Sequence, residues 1–235
     1  MDIKLHFTEK GAGEPLILLH GNGESSEYFI HQIGYFSSKY RVIAVDTRGH
    51  GRSPRGSAAF TIRQFAEDLL CFMDEQEMKE ANLLGFSDGG NIALMFALKY
   101  PERVKRLILN GANLNAKGVR PSVQIPIEIG YRIASLFAKR SREARINAEI
   151  LGLMVKEPRI DPGAVSYTHL DVYKRQAQTN TLRNTSGSVL EIFLWKCGTT
   201  GWQRLCGSCR SESGILYCWH IFLICATLRL PNNCA

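Results

Sequence analysis

Cysteine is scarce through most of this chain: of its seven, only Cys71 lies before residue 197. A disulfide scaffold over that stretch is excluded, because a lone thiol has no intrachain partner there. Tryptophan is missing until Trp195, and aspartate disappears after Asp171. No apolar run reaches the roughly 20 residues that a membrane-spanning helix needs. The longest, "GILYCWHIFLICATL" at 214–228, carries His220 at its middle. Met1 is followed by "DIKLHFTEK", which lacks the basic start and apolar core of a secretory leader, so a cytoplasmic location with no membrane contact is expected. Charge of one sign is also not concentrated. The formal +7 resolves into 22 Lys/Arg against 19 Asp/Glu in residues 1–164, and 7 against 3 thereafter. Interspersed charge of this kind is a solvated surface, and no nucleic-acid partner is expected.

What is present, from residue 14 to 112, is alternation. "PLILLHG", "YRVIAVD", "ANLLGFS" and "VKRLILNG" are near-continuous apolar runs closed by Gly, Asp or Ser. Strands of a parallel sheet covered on both faces read this way. Between them "SSEYFIHQIGYFSSKY", "TIRQFAEDLLCFMDEQEM" and "DGGNIALMFALKY" space apolar residues three and four apart, as helices do. Pro101 ends the last of these, and "IKLHFTEKG" predicts an outer strand at the start. The class is α/β, with a core over 1–112. Residues 113–163 predict two or three helices with no following strand, a cap over the carboxyl ends of the strands. Ile125, Ile129 and Phe137 in that cap suggest an apolar pocket wall, and simple helix-packing contacts suit them equally.

Gly85-Phe86-Ser87-Asp88-Gly89 is G-x-S-x-G between an expected strand and an expected helix. A serine on so sharp a turn adopts a strained backbone, and the flanking glycines keep neighbouring chain from clashing. Its hydroxyl then stands above the sheet, beside the N–H groups and partial positive charge of the helix opening at Asp88. The bland alternative is that the glycines only let helix and strand pack closely. "LLHGNGES", residues 18–25, is a Gly-rich loop that can aim a second backbone N–H, that of Asn22, at the same oxyanion. "DTRGHGRSPR", residues 46–55, adds a tight loop holding His50, read as structural rather than as a base because nucleophile, acid and His follow in that chain order in this architecture.

Together "HGNGES", "DTRGHGRS", "GFSDGGNIALMFALKYPERVKRLILNGAN" and the helical stretch after them resemble the α/β-hydrolase fold, and within it small bacterial hydrolases with a helical cap. The likeness runs from about residue 1 to 163. It implies a mostly parallel sheet, Ser87 as nucleophile, the main-chain N–H groups of Asn22 and Asp88 as oxyanion donors and no cofactor. A small-molecule acyl substrate is expected, and the likeness does not choose among esters, lactones, peptides or carbon–carbon bond substrates. A dinucleotide-binding unit is the rival for "LILLHGNGESS…YRVIAVD". Yet Ser26 stands where the third glycine of G-x-G-x-x-G belongs, Glu24 would face the pyrophosphate, and Gly85–Gly90 would stay unexplained.

A serine nucleophile needs a base, and the base an orienting acid. The family places both late in the chain. Here "LILNGANLN" offers Asn110, Asn113 and Asn115 with no carboxylate, and beyond residue 171 the only acids are Glu191 and Glu212. The only histidines after Ser87 are His169 and His220. His169 lies in "VSYTHLDVYKRQ", residues 165–176, which permitted codons render as an inverted DNA repeat reaching back into Ala164. That string resembles two transposase ends used in preparing sequencing libraries, joined head to head. The reading is therefore of a C-terminally truncated hydrolase whose residues 164–235 are a chimeric or out-of-frame tail without a native domain. Cys206 and Cys209 in that tail have no second pair at zinc spacing, so no metal site is expected. The chain as written is expected to be nearly inactive and, for want of later strands, to expose the strand around Leu107–Asn110 as an aggregation-prone edge. The alternative function is a non-catalytic member of the same fold that binds a small ligand under its cap.

Overall fold

A computed structural model describes residues 1–112, 121–156, 180–183 and 189–195. Strands β1 (Phe7–Lys10), β2 (Glu14–Leu19), β3 (Tyr40–Val45), β4 (Ala81–Phe86) and β5 (Val104–Asn110) alternate with helices α1 (Ile30–Phe36), α2 (Ile62–Glu75) and α3 (Asp88–Lys99). Helices α4 (Pro121–Phe137) and α5 (Arg142–Lys156) follow, then β6 (Asn180–Arg183) and β7 (Val189–Trp195). The seven-stranded sheet runs β1-β3-β2-β4-β5-β7-β6. Its four central pairings are parallel, while β1 and β6 pair antiparallel with β3 and β7.

The apolar runs form strands because both faces of each are covered. Along β2, Ile17 and Leu19 enter the larger core with Phe65, Leu69 and Phe72 of α2 and Ile92 and Phe96 of α3. Leu16 and Leu18 point the other way, onto Phe29, Phe36, Val42 and Ala44. Alternate residues facing opposite layers follow directly from the two-residue strand period. Each of the buried Leu, Ile, Val and Phe side chains contributes about 1.5–3 kcal/mol over its exposed state. Thr61 starts α2 by accepting the Gln64 N–H at 3.1 Å, a cap worth about 1 kcal/mol. At the other end Glu77 has φ 53°, and the N–H groups of Met78 and Glu77 return to the Met73 and Asp74 carbonyls. That pairing closes the helix with a left-handed residue.

Two expectations are corrected here. The strand around Leu107–Asn110 is not an open edge: β7 lies parallel to β5 with Ile108 opposite Phe193 and Asn110 opposite Trp195. An apolar strand presents the same main-chain donors and acceptors whatever its origin, so an unpaired ladder accepts it. Nor do Ile125, Ile129 and Phe137 line a pocket, since they are 55%, 54% and 40% exposed. The register of α4 instead turns Ile127, Tyr131, Ala134 and Ala138 inward, with Tyr131 against Gly152 of α5. Of the expected cap, 113–120 and 157–163 lie outside the described residues, as do His169, His220, Cys206 and Cys209.

Candidate active site

Ser87 links the end of β4 to the start of α3 with φ 53° and ψ −117°, a conformation that L-residues rarely adopt. Its N–H donates to the Asn110 carbonyl at the end of β5 (2.8 Å), and its own carbonyl accepts the Asn91 N–H (3.1 Å). The turn therefore spans two strands and one helix. The two glycines of the motif are there for space. A Cβ on Gly85 would strike the Gly89 carbonyl, and one on Gly89 would strike the Leu19 carbonyl. This close approach sets the loop after β2 against the first turn of α3, and so brings the two expected oxyanion donors onto neighbouring strand ends. Asp88 is the first residue of α3, where a backbone N–H has no partner within the helix. Its carboxylate is buried and accepts from Asn91 Nδ2 (3.1 Å).

The loop after β2 is held by its own side chains. Glu24 takes the Gly21 N–H at 3.0 Å, and the Glu24 N–H returns to the Gly21 carbonyl at 3.2 Å. Burial pushes the Glu24 carboxyl up, against the lowering effect of that N–H. His20 is buried, with Nε2 accepting the Thr47 N–H (3.0 Å) and Nδ1–H donating to the Gly21 carbonyl (2.7 Å). Burial pulls its pKa down to about 4, so the ring is neutral. His50 is likewise buried and pushed down by burial, with Nδ1 beside the Arg48 carbonyl (3.0 Å) and Thr47 Oγ1 (3.1 Å). These contacts hold both rings as struts of the loop. Tyr28 stacks on Phe86, the residue before Ser87, at 4.8 Å.

Two buried charges fix the surrounding loops. Asp46 accepts N–H groups from Ser26 (2.6 Å) and Arg52 (2.9 Å) and faces His6 Nδ1 (2.9 Å). Burial alone would raise its pKa, but these donors hold it below the usual range. Arg48, fully buried, forks onto Asp68 at 2.7 and 2.8 Å and onto Asp2 at 2.6 Å. Leaving such a charge without its partners costs about 3–5 kcal/mol. Sequence reading passed over both. "DTRGHGRS" signals the tight loop, but neither Asp2 nor Asp68 is near it in the chain.

The cap rests on this loop system. Asn22 Nδ2 donates to the Ile150 carbonyl of α5 (2.8 Å), and Arg55 pairs with Glu149 at 2.6 Å. A cavity of about 450 Å³ opens between them and α4, lined by Arg55, Phe60, Tyr131, Arg145 and Leu153. Ser87, Asn22 and Asp88 do not line it. Among the described residues no group of three His, Cys, Asp or Glu could hold a metal ion, and no helix is long and apolar enough to cross a membrane.

A strained serine between two space-limited glycines, at the junction of a parallel strand and a helix, agrees with a family comparison over residues 14–145, where the model for the alpha/beta hydrolase fold matches. The chain belongs to the alpha/beta hydrolase fold family. It is 35% identical over 119 residues to an Acinetobacter baylyi (E)-2-((N-methylformamido)methylene)succinate hydrolase, covering 50% of this chain and 45% of that one. It is 36% identical over 135 residues to epoxide hydrolase 3 of Siraitia grosvenorii, covering 56% and 42%. The chain thus spans less than half the length of these relatives. A solved structure of an N-acyl homoserine lactone degrading enzyme superposes with TM-score 0.50 at 25% identity, covering 74% of this chain and 69% of that one.

Proposed function

We propose that this alpha/beta hydrolase chain is the front part of a serine hydrolase for small esters or related acyl compounds such as lactones. The observation that supports this best is the left-handed backbone of Ser87 inside Gly85–Gly89. In the full reaction Ser87 Oγ attacks the acyl carbonyl carbon, and its proton passes to a histidine. The negative oxygen that forms is held by the N–H groups of Asn22 and Asp88. The carbonyl re-forms as the alkoxide leaves with that proton, and water then releases the acyl group from Ser87. The lactone-degrading enzyme among the matches supports this substrate class.

The acid and histidine are the missing pieces. His20 and His50 are committed to loop contacts, which also gives the non-catalytic reading its one point of support. We propose that residues 165–176 are translated adapter and that 177–235 replace the native strands, acid and histidine. Losing a triad base costs on the order of 10⁶ in turnover. Hydrolysis of p-nitrophenyl acetate should therefore be the same for the chain and its Ser87→Ala variant. Turnover at the level of full-length relatives, lost in Ser87→Ala, would overturn the inactivity. Restoring the native continuation should bring Ser87-dependent hydrolysis back; failure there favours the ligand-binding reading.

A further inference from the structure

The amide of Asn22 is occupied at both ends. Nδ2 donates to the Ile150 carbonyl at 2.8 Å, across 128 residues of chain, and Oδ1 faces His50 Nε2 at 3.5 Å. The orientation is fixed, because the reverse would set Oδ1 against a carbonyl oxygen. The Ile150 carbonyl belongs to the middle of α5, so Asn22 supplies it with a donor beyond its helical one. Asn22 also sits on the loop that Glu24 and His20 clamp through Gly21. The neighbouring cap residue, Glu149, is tied to a different loop, the one after β3, through Arg55.

We infer that the Asn22 side chain is a strut that seats α5 on the loop after β2, making it a positioning residue through which the cap sets the direction of the Asn22 N–H. The strut stands on the contacts alone; its effect on an oxyanion rests on the serine-hydrolase reading above. The two ties are separable. Asn22 couples cap to oxyanion loop, and Arg55–Glu149 couples cap to the loop at 55–61. A ligand that pushes α5 outward would pull on Asn22 and so on the donor itself.

Amide hydrogen exchange on the full chain tests this. Asn22→Ala removes one buried hydrogen bond and should speed exchange roughly tenfold in both 20–26 and 142–156. Asn22→Asp keeps the shape, sets a carboxylate against the Ile150 carbonyl, and should speed both segments further. Strands β4 and β5 should keep their rates. Glu149→Gln should loosen 142–156 while leaving 20–26 unchanged. An unchanged α5 in both Asn22 variants overturns the strut, and so does a faster α5 with an unchanged 20–26. A uniform rise that includes β4 and β5 also overturns it, since that is general destabilisation. Phenylboronic acid, added to the chain with its native continuation restored, supplies the second readout. Ser87 Oγ gives an electron pair to boron, its proton leaves to solvent, and a boron hydroxyl occupies the oxyanion position. Affinity should fall roughly tenfold in both Asn22 variants and little in Glu149→Gln. Equal binding to wild type and Ser87→Ala would strike the serine reading alone, with the exchange pattern still deciding the strut.

Discussion

His20 has both ring nitrogens engaged, one as acceptor for Thr47 and one as donor to Gly21, and a second proton on Nε2 would break the bond from the Thr47 N–H. Its pKa is lowered from 6.5 to about 4 by burial. The unfolded chain therefore binds a proton first as pH falls from about 6.5, and folding stability is lost until the folded ring also titrates near 4. The loss amounts to about 3 kcal/mol over that window. His50, lowered by burial, acts in the same sense. Glu24, raised by burial, opposes it. Urea denaturation at pH 4–7 should show a steep acid decline in the native chain and a shallower one in His20→Asn. Parallel curves for the two would refute it. At this scale Ser87 was legible, because G-x-S-x-G is contiguous and its glycines announce a crowded turn. The partners of Asn22 and Arg48 were not, since they lie far away in sequence and share no local pattern with it.

Among the elements, α2 shows how a helix end can be suboptimal by one residue. Glu77 holds the left-handed position that closes the helix, with Met78 folded back on the Met73 carbonyl and both methionines buried. An L-residue there pays a steric cost of about 1–2 kcal/mol that glycine avoids, while glycine gives back about 0.5–1 kcal/mol in chain entropy. Glu77→Gly should stabilise the chain by about 0.5–1 kcal/mol, seen as a rise of a few degrees in Tm. A lower Tm would show that the Glu77 side chain contributes more than its backbone costs. The strands and helices themselves were readable from the apolar periods. The orientation of α4 was not, because Ile125, Ile129, Ile133 and Leu136 make one apolar stripe that reads as an inward face, yet they stand 55%, 54%, 52% and 78% exposed. Only the packing of Tyr131 against Gly152 chooses the face.

For the whole molecule, residues 14–145 match one family, while the last third of the sequence disagrees with the first two in composition. If residues 165–176 are translated adapter, as proposed above, the break lies in the DNA rather than in protein physics. Resequencing codons 150–185 of the source with a transposase-free library should remove the repeat and continue the frame into strands with an acid and a histidine. A repeat that persists would make residues 165–235 native and direct attention to ligand binding. A mostly parallel sheet with β1 as an outer strand was legible in the alternation and the family likeness. The β5–β7 pairing was not, because strand pairing across a composition break leaves no periodic signal in the sequence.

The bond from the Ser87 N–H to the Asn110 carbonyl has a consequence for how the molecule is made. A ribosome releases Gly85–Gly89 well before Asn110, so the nascent chain passes through a stage in which the serine exists but its turn is not yet locked. Docking of β5 beside β4 supplies the Asn110 carbonyl to which the Ser87 N–H donates. A nascent chain arrested before Asn110 would carry the motif without this bond.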